Sequence, residues 1–489
     1  MALVIVIVYC ICMLLVFLFS LMQLHLTIIY MGNQKTNSTI YPEPKEWPSV
    51  TLQLPLYNEK YVVERLLEAV EAMDYPTGKL EVQILDDSND ETTNIIAHKI
   101  KELKHHNYTL VRRPHRTGYK AGALQYGLEM ASGELICIFD ADFLPTADFL
   151  FKTIPVFDQP EIGMVQARWG HINQDYSLLT QLQAFGLNAH FSIEQTGRNK
   201  AGSFINFNGT AGVWRRSCID DAGGWTADTL SEDLDLSYRA QLKGWKFKYL
   251  EEVLAPAELP VLVSAIKSQQ YRWNKGAAEN VRKNLGNILR SKLPFTNKMH
   301  SVFHLFNSSV FLFIFIAALA SIPMLLVKET QAHLAIVFDL ASIFLIGFLA
   351  ISFFYWISTR RFYPDKSVAQ FVKYYPAFLA FSMGMSFHNA VAVVEGFAGK
   401  QTPFRRTPKF NIKNSLDKLG HNIYIKYKFD WKLVAEFFLM LYFAFGIALG
   451  VYLQDYGLLF FHLLLTIGFG GILFFTFKNW LDDKKGRLQ

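Results

Sequence analysis

The chain lacks the cysteine pattern of either a disulfide scaffold or a zinc module. Its 489 residues hold four cysteines, Cys10, Cys12, Cys137 and Cys218, with no Cys-x-x-Cys pair, and two of them fall in one apolar run. Disulfide stapling and a cysteine-based metal site are not indicated, and a reducing compartment suits the soluble part. Charge is also scarce: 18% of residues are charged against 51% hydrophobic, too apolar for a wholly soluble protein of this length. Residues 1–31 contain no Lys, Arg, Asp or Glu. They also lack a basic n-region and a small-residue cleavage site, and they are long enough to cross about 30 Å of hydrocarbon, so an uncleaved membrane anchor is expected. The net charge of +6 is modest, and nucleic acid is not among the expected partners.

A polar, proline-containing linker follows over 32–48. From 49 to 294 strand-like and helical patterns alternate. Val50–Leu54, Glu81–Leu85, Tyr108–Val111 and Leu135–Phe139 read as strands; 61–73, 94–103 and 121–130 carry helical spacing. Such repetition predicts an α/β domain of βαβ units around a mostly parallel sheet, with ligands beyond the carboxyl ends of its strands. Residues 295–489 form the membrane region, with spans expected near 302–327, 334–357, 433–453 and 457–477. The apolar stretch 368–397 is interrupted by Lys373, Pro376, His388, Asn389 and Glu395, and reads as an interfacial or re-entrant helix. Positive charge gathers at Arg360, Arg361 and Lys366, and again over 400–432, where nine Lys/Arg face two Asp. The positive-inside rule puts these loops, and with them the soluble domain, on the cytoplasmic side. The expectation is a multi-pass protein of the cell (inner) membrane.

Several segments carry chemistry. Asp140-Ala141-Asp142 ends a strand, so alternation aims both carboxylates to one side, where hard oxygens suit Mg2+ or Mn2+ beside a diphosphate; the alternative is a turn and helix cap. Asp86 and Asp87 follow another strand and can accept from a nucleobase edge, or else belong to a helix cap with Ser88, Asn89 and Asp90. Tyr57 offers a stacking face at a strand-to-helix junction, with Glu59 beside it, and Lys120 is a candidate phosphate contact. Ser231-Glu232-Asp233 opens a helix: Asp233, with Glu232 next to it, is the candidate base for an acceptor hydroxyl, against a simple cap and dipole role. Gln269, Arg272 and Trp273 share one helix face, where Trp273 would hold a sugar ring, Arg272 a phosphate and Gln269 hydroxyls; the alternative is a packed Trp and a snorkelling Arg at a membrane surface. Together these features point to sugar transfer from a nucleotide donor beside a bilayer.

The ordered set Asp86-Asp87, Asp140-Ala141-Asp142, Ser231-Glu232-Asp233 and Gln269-Gln270-Tyr271-Arg272-Trp273 resembles the D, DxD, T/S-E-D and QxxRW motifs of the processive membrane branch of glycosyltransferase family two, the cellulose synthases and cellulose-synthase-like glucan and mannan synthases. Phe404 to Lys409, within a segment 398–412, is similar to the family's FxVTxK gating loop, with Arg406 in the place of valine. The resemblance implies a GT-A-type, Rossmann-like catalytic domain joined to transmembrane helices. It implies an inverting, metal-dependent hexosyltransferase that takes UDP-glucose or GDP-mannose and extends a β-linked polysaccharide; single-sugar transfer to a membrane lipid is the alternative. By the same resemblance Asp140 and Asp142 bind metal and donor, Thr407 and Lys409 join the donor contacts, and Gln269, Arg272 and Trp273 hold the acceptor. Membrane lipids surround the spans.

Overall fold

The computed structural model describes residues 2–32, 41–331, 343–404, 406–414, 416–417, 422–424 and 430–486. Seven strands make one sheet: β1 (Val50–Leu56), β2 (Leu80–Asp86), β3 (Asn107–Val111), β4 (Leu135–Ile138), β5 (Ile162–His171), β6 (Gly212–Arg215) and β7 (Lys246–Ala257), in the order β3-β2-β1-β4-β6-β5-β7. Only β6 runs against its neighbours. The pleat sorts β4 cleanly, with Leu135 and Cys137 in the core on one face and Ile136 and Ile138 in the core on the other. Such continuous apolar runs are the mark of strands covered on both faces. Fully burying Leu52, Leu54, Val82 and Ile84 stabilises the sheet by about 1.5–3 kcal/mol for each side chain.

Helices of eight or more residues are numbered in chain order. In the soluble domain they are α2 (Val63–Glu71), α3 (Thr92–Lys99), α4 (Tyr119–Met130), α5 (Leu178–Ala189) and α6 (Glu232–Leu242), after the N-terminal α1 (Ala2–Gly32). The long α7 (Val263–Arg290) leaves the domain, followed by α8 (Phe295–Leu305), α9 (Val310–Thr330), α10 (Phe344–Phe362), α11 (Ser367–Phe397), α12 (Trp431–Tyr452) and α13 (Leu459–Gly486). Within the soluble domain the expected strands and helices follow the periodicity closely, with ends shifted by up to four residues.

Among the described residues, five helical stretches are long and apolar enough to cross a membrane: Ala2–Gly32, Asn307–Thr330, Pro364–Phe397, Trp431–Tyr452 and Leu459–Leu481. The expected span near 334–357 falls partly outside the described residues; its remainder lies in α10. The stretch 368–397, expected to lie at the interface, falls in one continuous helix, α11, packed against α7, α9, α10 and α13. The polar residues that suggested an interfacial position have protein partners. His388 Nε2 meets Lys267 O at 2.9 Å, Asn389 Nδ2 donates to Gln270 Oε1 at 2.8 Å, and Glu395 accepts from Lys400 Nζ at 2.7 Å and from Tyr271 Oη.

Helices α11 and α13 touch backbone to backbone. A Cβ at Gly384 would lie 2.3 Å from Gly468 O, and one at Gly468 would lie 2.1 Å from Ala380 O. Small residues give this close approach in helix pairs that bury few polar groups. Gly384→Val should force the pair apart at a cost of about 1–3 kcal/mol. Thermal unfolding of the detergent-purified protein, followed by tryptophan fluorescence, should therefore drop, whereas Gly471→Ala, in open space, should leave it unchanged.

Candidate active site

Sheet order builds the site. Strands β2, β1 and β4 are neighbours and parallel, so the segments leaving their carboxyl ends, Asp87, Tyr57 to Glu59, and Asp140 to Asp142, emerge side by side. The antiparallel β6 pairs Gly212 with Ile138, which brings the loop before it to the same edge. There the Ala211 N–H donates to Ile138 O at 2.9 Å and the Asp140 N–H donates to Thr210 Oγ1 at 2.9 Å. Gly209 (φ +80°) and Ala211 (φ +56°) take the left-handed conformation that turns this loop inward.

One cavity joins the three strand ends. Of the expected residues, Tyr57, Glu59, Asp87, Lys120, Asp140, Asp142, Arg272, Thr407 and Lys409 line it, together with Arg116, Phe404 and Arg406. Asp86 does not line it. Its carboxylate accepts from the Ser88 N–H at 2.9 Å and from Thr93 Oγ1 at 2.6 Å, fastening the turn into α3. Asp87, one residue on and so turned the opposite way, faces the cavity and accepts from Arg113 Nε at 2.7 Å and Nη2 at 2.5 Å. The Arg116 guanidinium lies 3.4 Å from the centre of the Tyr57 ring.

Both carboxylates of the Asp-Ala-Asp segment line the cavity, and so does the buried Ala141 between them. Asp140 Oδ1 pairs with Lys120 Nζ, and Asp142 Oδ2 pairs with Lys409 Nζ. Two hard oxygen donors on one wall fit Mg2+ or Mn2+. Among the described residues no group of three or more Asp, Glu, His or Cys gathers to hold an ion unaided.

Lys120 links this wall to the candidate base. It also donates to Gly209 O at 2.8 Å, and a Cβ on Gly209 would lie 3.1 Å from Asp233 Oδ2 and 3.6 Å from Lys120 Nζ. Burial alone would lower the Lys120 pKa, but Asp140, Glu232 and Asp233 outweigh it and the net shift is upward. Burial raises Asp233 to about 7, Glu232 adds to the rise, and the Leu234 N–H and Lys120 oppose it. Glu232 is likewise raised, by burial first. Both acids lie in the first turn of α6. Ser231 occupies the cap position but makes no side-chain cap bond; its Oγ faces Gly276 on α7, where a Cβ would lie 2.1 Å away.

The candidate acceptor residues diverge. Arg272 reaches the cavity and donates to Thr407 Oγ1 at 3.0 Å, and burial lowers its pKa to about 10 against the pull of Asp140, Glu232 and Asp142. Gln269 is half-buried and Trp273 is 38% exposed, and neither lines the cavity. The segment around 404–411 crosses the site as a strap, with Arg405 outside the described residues. Arg406 donates to Glu59 Oε1 at 2.9 Å and Oε2 at 2.5 Å, so Glu59 is an anchor for the strap within the lining. Burial lifts Glu59 to about 7, against Arg406 and Lys409.

The second anchor was not foreseen. Glu258 is buried after β7, where it accepts from Arg65 Nη2 at 2.7 Å and from the Phe410 and Asn411 N–H groups at 2.8 and 3.1 Å. Its signal was available: it is the lone charge between Val253 and Ile266. Arg113 and Arg116, the other unforeseen contributors, sit in a basic turn without periodicity. Glu258→Ala should cost about 3–5 kcal/mol by leaving Arg65 buried and unpaired. The pair Arg65→Met with Glu258→Leu should recover most of that stability, yet in limited proteolysis trypsin should cut at Lys409 sooner than in wild type, because the strap's N–H anchors are gone.

The sequence of residues 48–276 matches the family described as glycosyltransferase like family 2. The chain is 40% identical over 283 residues to a probable glucomannan 4-beta-mannosyltransferase 4 of Oryza sativa subsp. japonica, covering 56% of this chain and 52% of that protein. It is 41% identical over 274 residues to glucomannan 4-beta-mannosyltransferase 1 of Cyamopsis tetragonoloba, covering 54% and 51%. The chain thus spans about half the length of the curated relatives it matches. A mannosyltransferase from Pyrobaculum calidifontis, solved with GDP-Man and Mn2+, shares the fold with a TM-score of 0.56 and 20% identity, over 81% of this chain and all of that one. With a GT-A-like mixed sheet and the acidic segments at its strand ends, residues 48–276 are similar to the glycosyltransferase like family 2 domain.

Proposed function

We propose that the chain is an integral-membrane hexosyltransferase that moves a hexose from a nucleotide donor onto a growing β-linked polysaccharide. The observation that carries this reading is the convergence of Asp140, Asp142, Lys120 and Asp233 at one place beneath a strap bearing Thr407 and Lys409. GDP-mannose is favoured over UDP-glucose by the names of the curated relatives. The catalytic domain (49–294), the basic loops and the strap lie on the cytoplasmic face. An interfacial placement for 368–397 keeps the basic segments at 358–373 and 398–432 on one side.

Asp140 and Asp142 would hold the Mg2+ or Mn2+, which when bound offsets charge on the departing diphosphate. The Tyr57 ring, with the Arg116 guanidinium stacked on it, offers a flat surface for the base, and Asp87 offers carboxylate oxygens to its edge. Lys120, Lys409 and Arg272 supply cations for the phosphates. Asp233 takes the proton of the acceptor hydroxyl, whose oxygen attacks the anomeric carbon opposite the leaving diphosphate, inverting the configuration. Trp273 and Gln269, outside the donor cavity, are placed to meet the acceptor's last sugars.

A base works in its ionised form, and Asp233 is raised to about 7. Donor kcat/KM, which reports the free enzyme, should therefore rise roughly tenfold per pH unit below neutrality and level off above it. Asp233→Asn should lower turnover by about 10²-fold or more and remove that limb of the profile, while the protein elutes as wild type from a sizing column. Purified protein given labelled GDP-mannose with Mn2+ should release GDP and form chains of several sugars, with UDP-glucose as the second donor compared. A lone glycolipid product would replace the polymer reading, and no diphosphate release from either donor would end it.

A further inference from the structure

The two carboxylates suited to a divalent ion already carry cations, Lys120 on Asp140 and Lys409 on Asp142. Neither lysine is a loose surface chain. Lys120 is held by its second bond, to Gly209 O at 2.8 Å. Lys409 is 9% exposed and is fixed from its own backbone: Asn422 Nδ2 donates to its carbonyl at 2.7 Å, and the next two N–H groups are held by Glu258. The cavity lining brings five cationic side chains against four carboxylates, so it is positive before any ion enters. A divalent cation arriving alone would meet like charge, with both of its carboxylate partners engaged. A nucleoside diphosphate reverses that balance, because its oxygens are strong acceptors for ammonium groups.

We propose that Lys120 and Lys409 are exchangeable counter-ions, held on Asp140 and Asp142 until a nucleoside diphosphate draws them off, so that divalent metal and nucleotide enter only together. The proposal rests on the glycosyltransferase reading and adds to it the interdependence of the two ligands. The exchange breaks no covalent bond. Each ammonium keeps its three protons and trades a carboxylate acceptor for a phosphate oxygen, and the released carboxylates become hard ligands for the ion.

Electron paramagnetic resonance titration of Mn2+ into the purified protein, with and without GDP or UDP, tests this independently of turnover. Wild type should bind Mn2+ about tenfold or more tightly with a nucleotide present, a coupling of ordinary size for linked sites. Lys409→Gln should bind Mn2+ alone several-fold more tightly than wild type, and Asp142→Asn should lose the nucleotide-assisted site. Mn2+ binding by wild type that ignores nucleotide, or an unchanged Mn2+-only affinity in Lys409→Gln, overturns the exchange and leaves sugar transfer standing. Failure of both nucleotide and Mn2+ to bind under any condition overturns the underlying reading along with it.

Discussion

Pairwise cancellation of buried charge is the constraint on which this architecture rests. Five carboxylates around the strand ends, those of Glu59, Asp87, Asp140, Asp142 and Glu258, are each met by a cation: Arg406, Arg113, Lys120, Lys409 and Arg65. An ionised carboxylate taken from water without a partner is too costly to bury. The cations come from α2, from the turn before α4 and the first turn of that helix, and from a segment more than 250 residues beyond β4. Meeting the charge requirement therefore also ties distant parts of the chain together. The strap lies over the cavity because Arg406 and Lys409 are needed there, and because Glu258 needs the N–H groups that follow them.

Helix α7 extends this tie to the membrane helices. Along one side, Lys267 pairs with the buried Glu436 of α12 at 2.6 Å, Gln270 bonds Asn389, and Tyr271 bonds Glu395. One turn further on, Lys275 donates to Thr402 Oγ1 at 2.7 Å, just ahead of the strap. These positions recur at three- and four-residue spacing, so they share a face. Arg272, between them in sequence, points instead to Thr407 and the cavity. A single rigid helix thus registers the catalytic domain against α11, α12 and the strap at once. The polar residues of α11, costly in lipid, are the sockets for that registration.

Local chemistry was legible in the sequence, and long-range pairing was not. The βαβ alternation placed every strand from β1 to β4, because period-two runs and the positions that end them are local properties. It could not choose between Asp86 and Asp87, since that choice turns on which residue is the last of β2. Asp140 and Asp142 both line the cavity, but from a turn beyond β4, closed by the Phe143 N–H on Asp140 O at 3.1 Å, and not from extended strand. The helix bearing Arg272 was evident, yet the divergence of Gln269 and Trp273 from its cavity depends on where α7 lies against α11. Arg406 is the instructive case. It departs from a valine motif, and its partner Glu59 lies nearly 350 residues earlier, so no local pattern links them.

The same geometry selects between the two neighbouring acids of α6. Both carboxyls are pushed upward by burial, and each disfavours ionisation of the other. Asp233 Oδ1 accepts the Leu234 N–H at 2.8 Å, which fixes the carboxyl and turns Oδ2 toward Gly209. Only hydrogen projects from Gly209, so Oδ2 retains open space that a side chain there would fill. Glu232 feels Lys120, Asp140 and Arg272, which places it on the donor side of the pair. The carboxyl of Asp233, the base of the proposed reaction, is therefore oriented by its own helix, and Glu232 adds to the rise of its pKa to about 7.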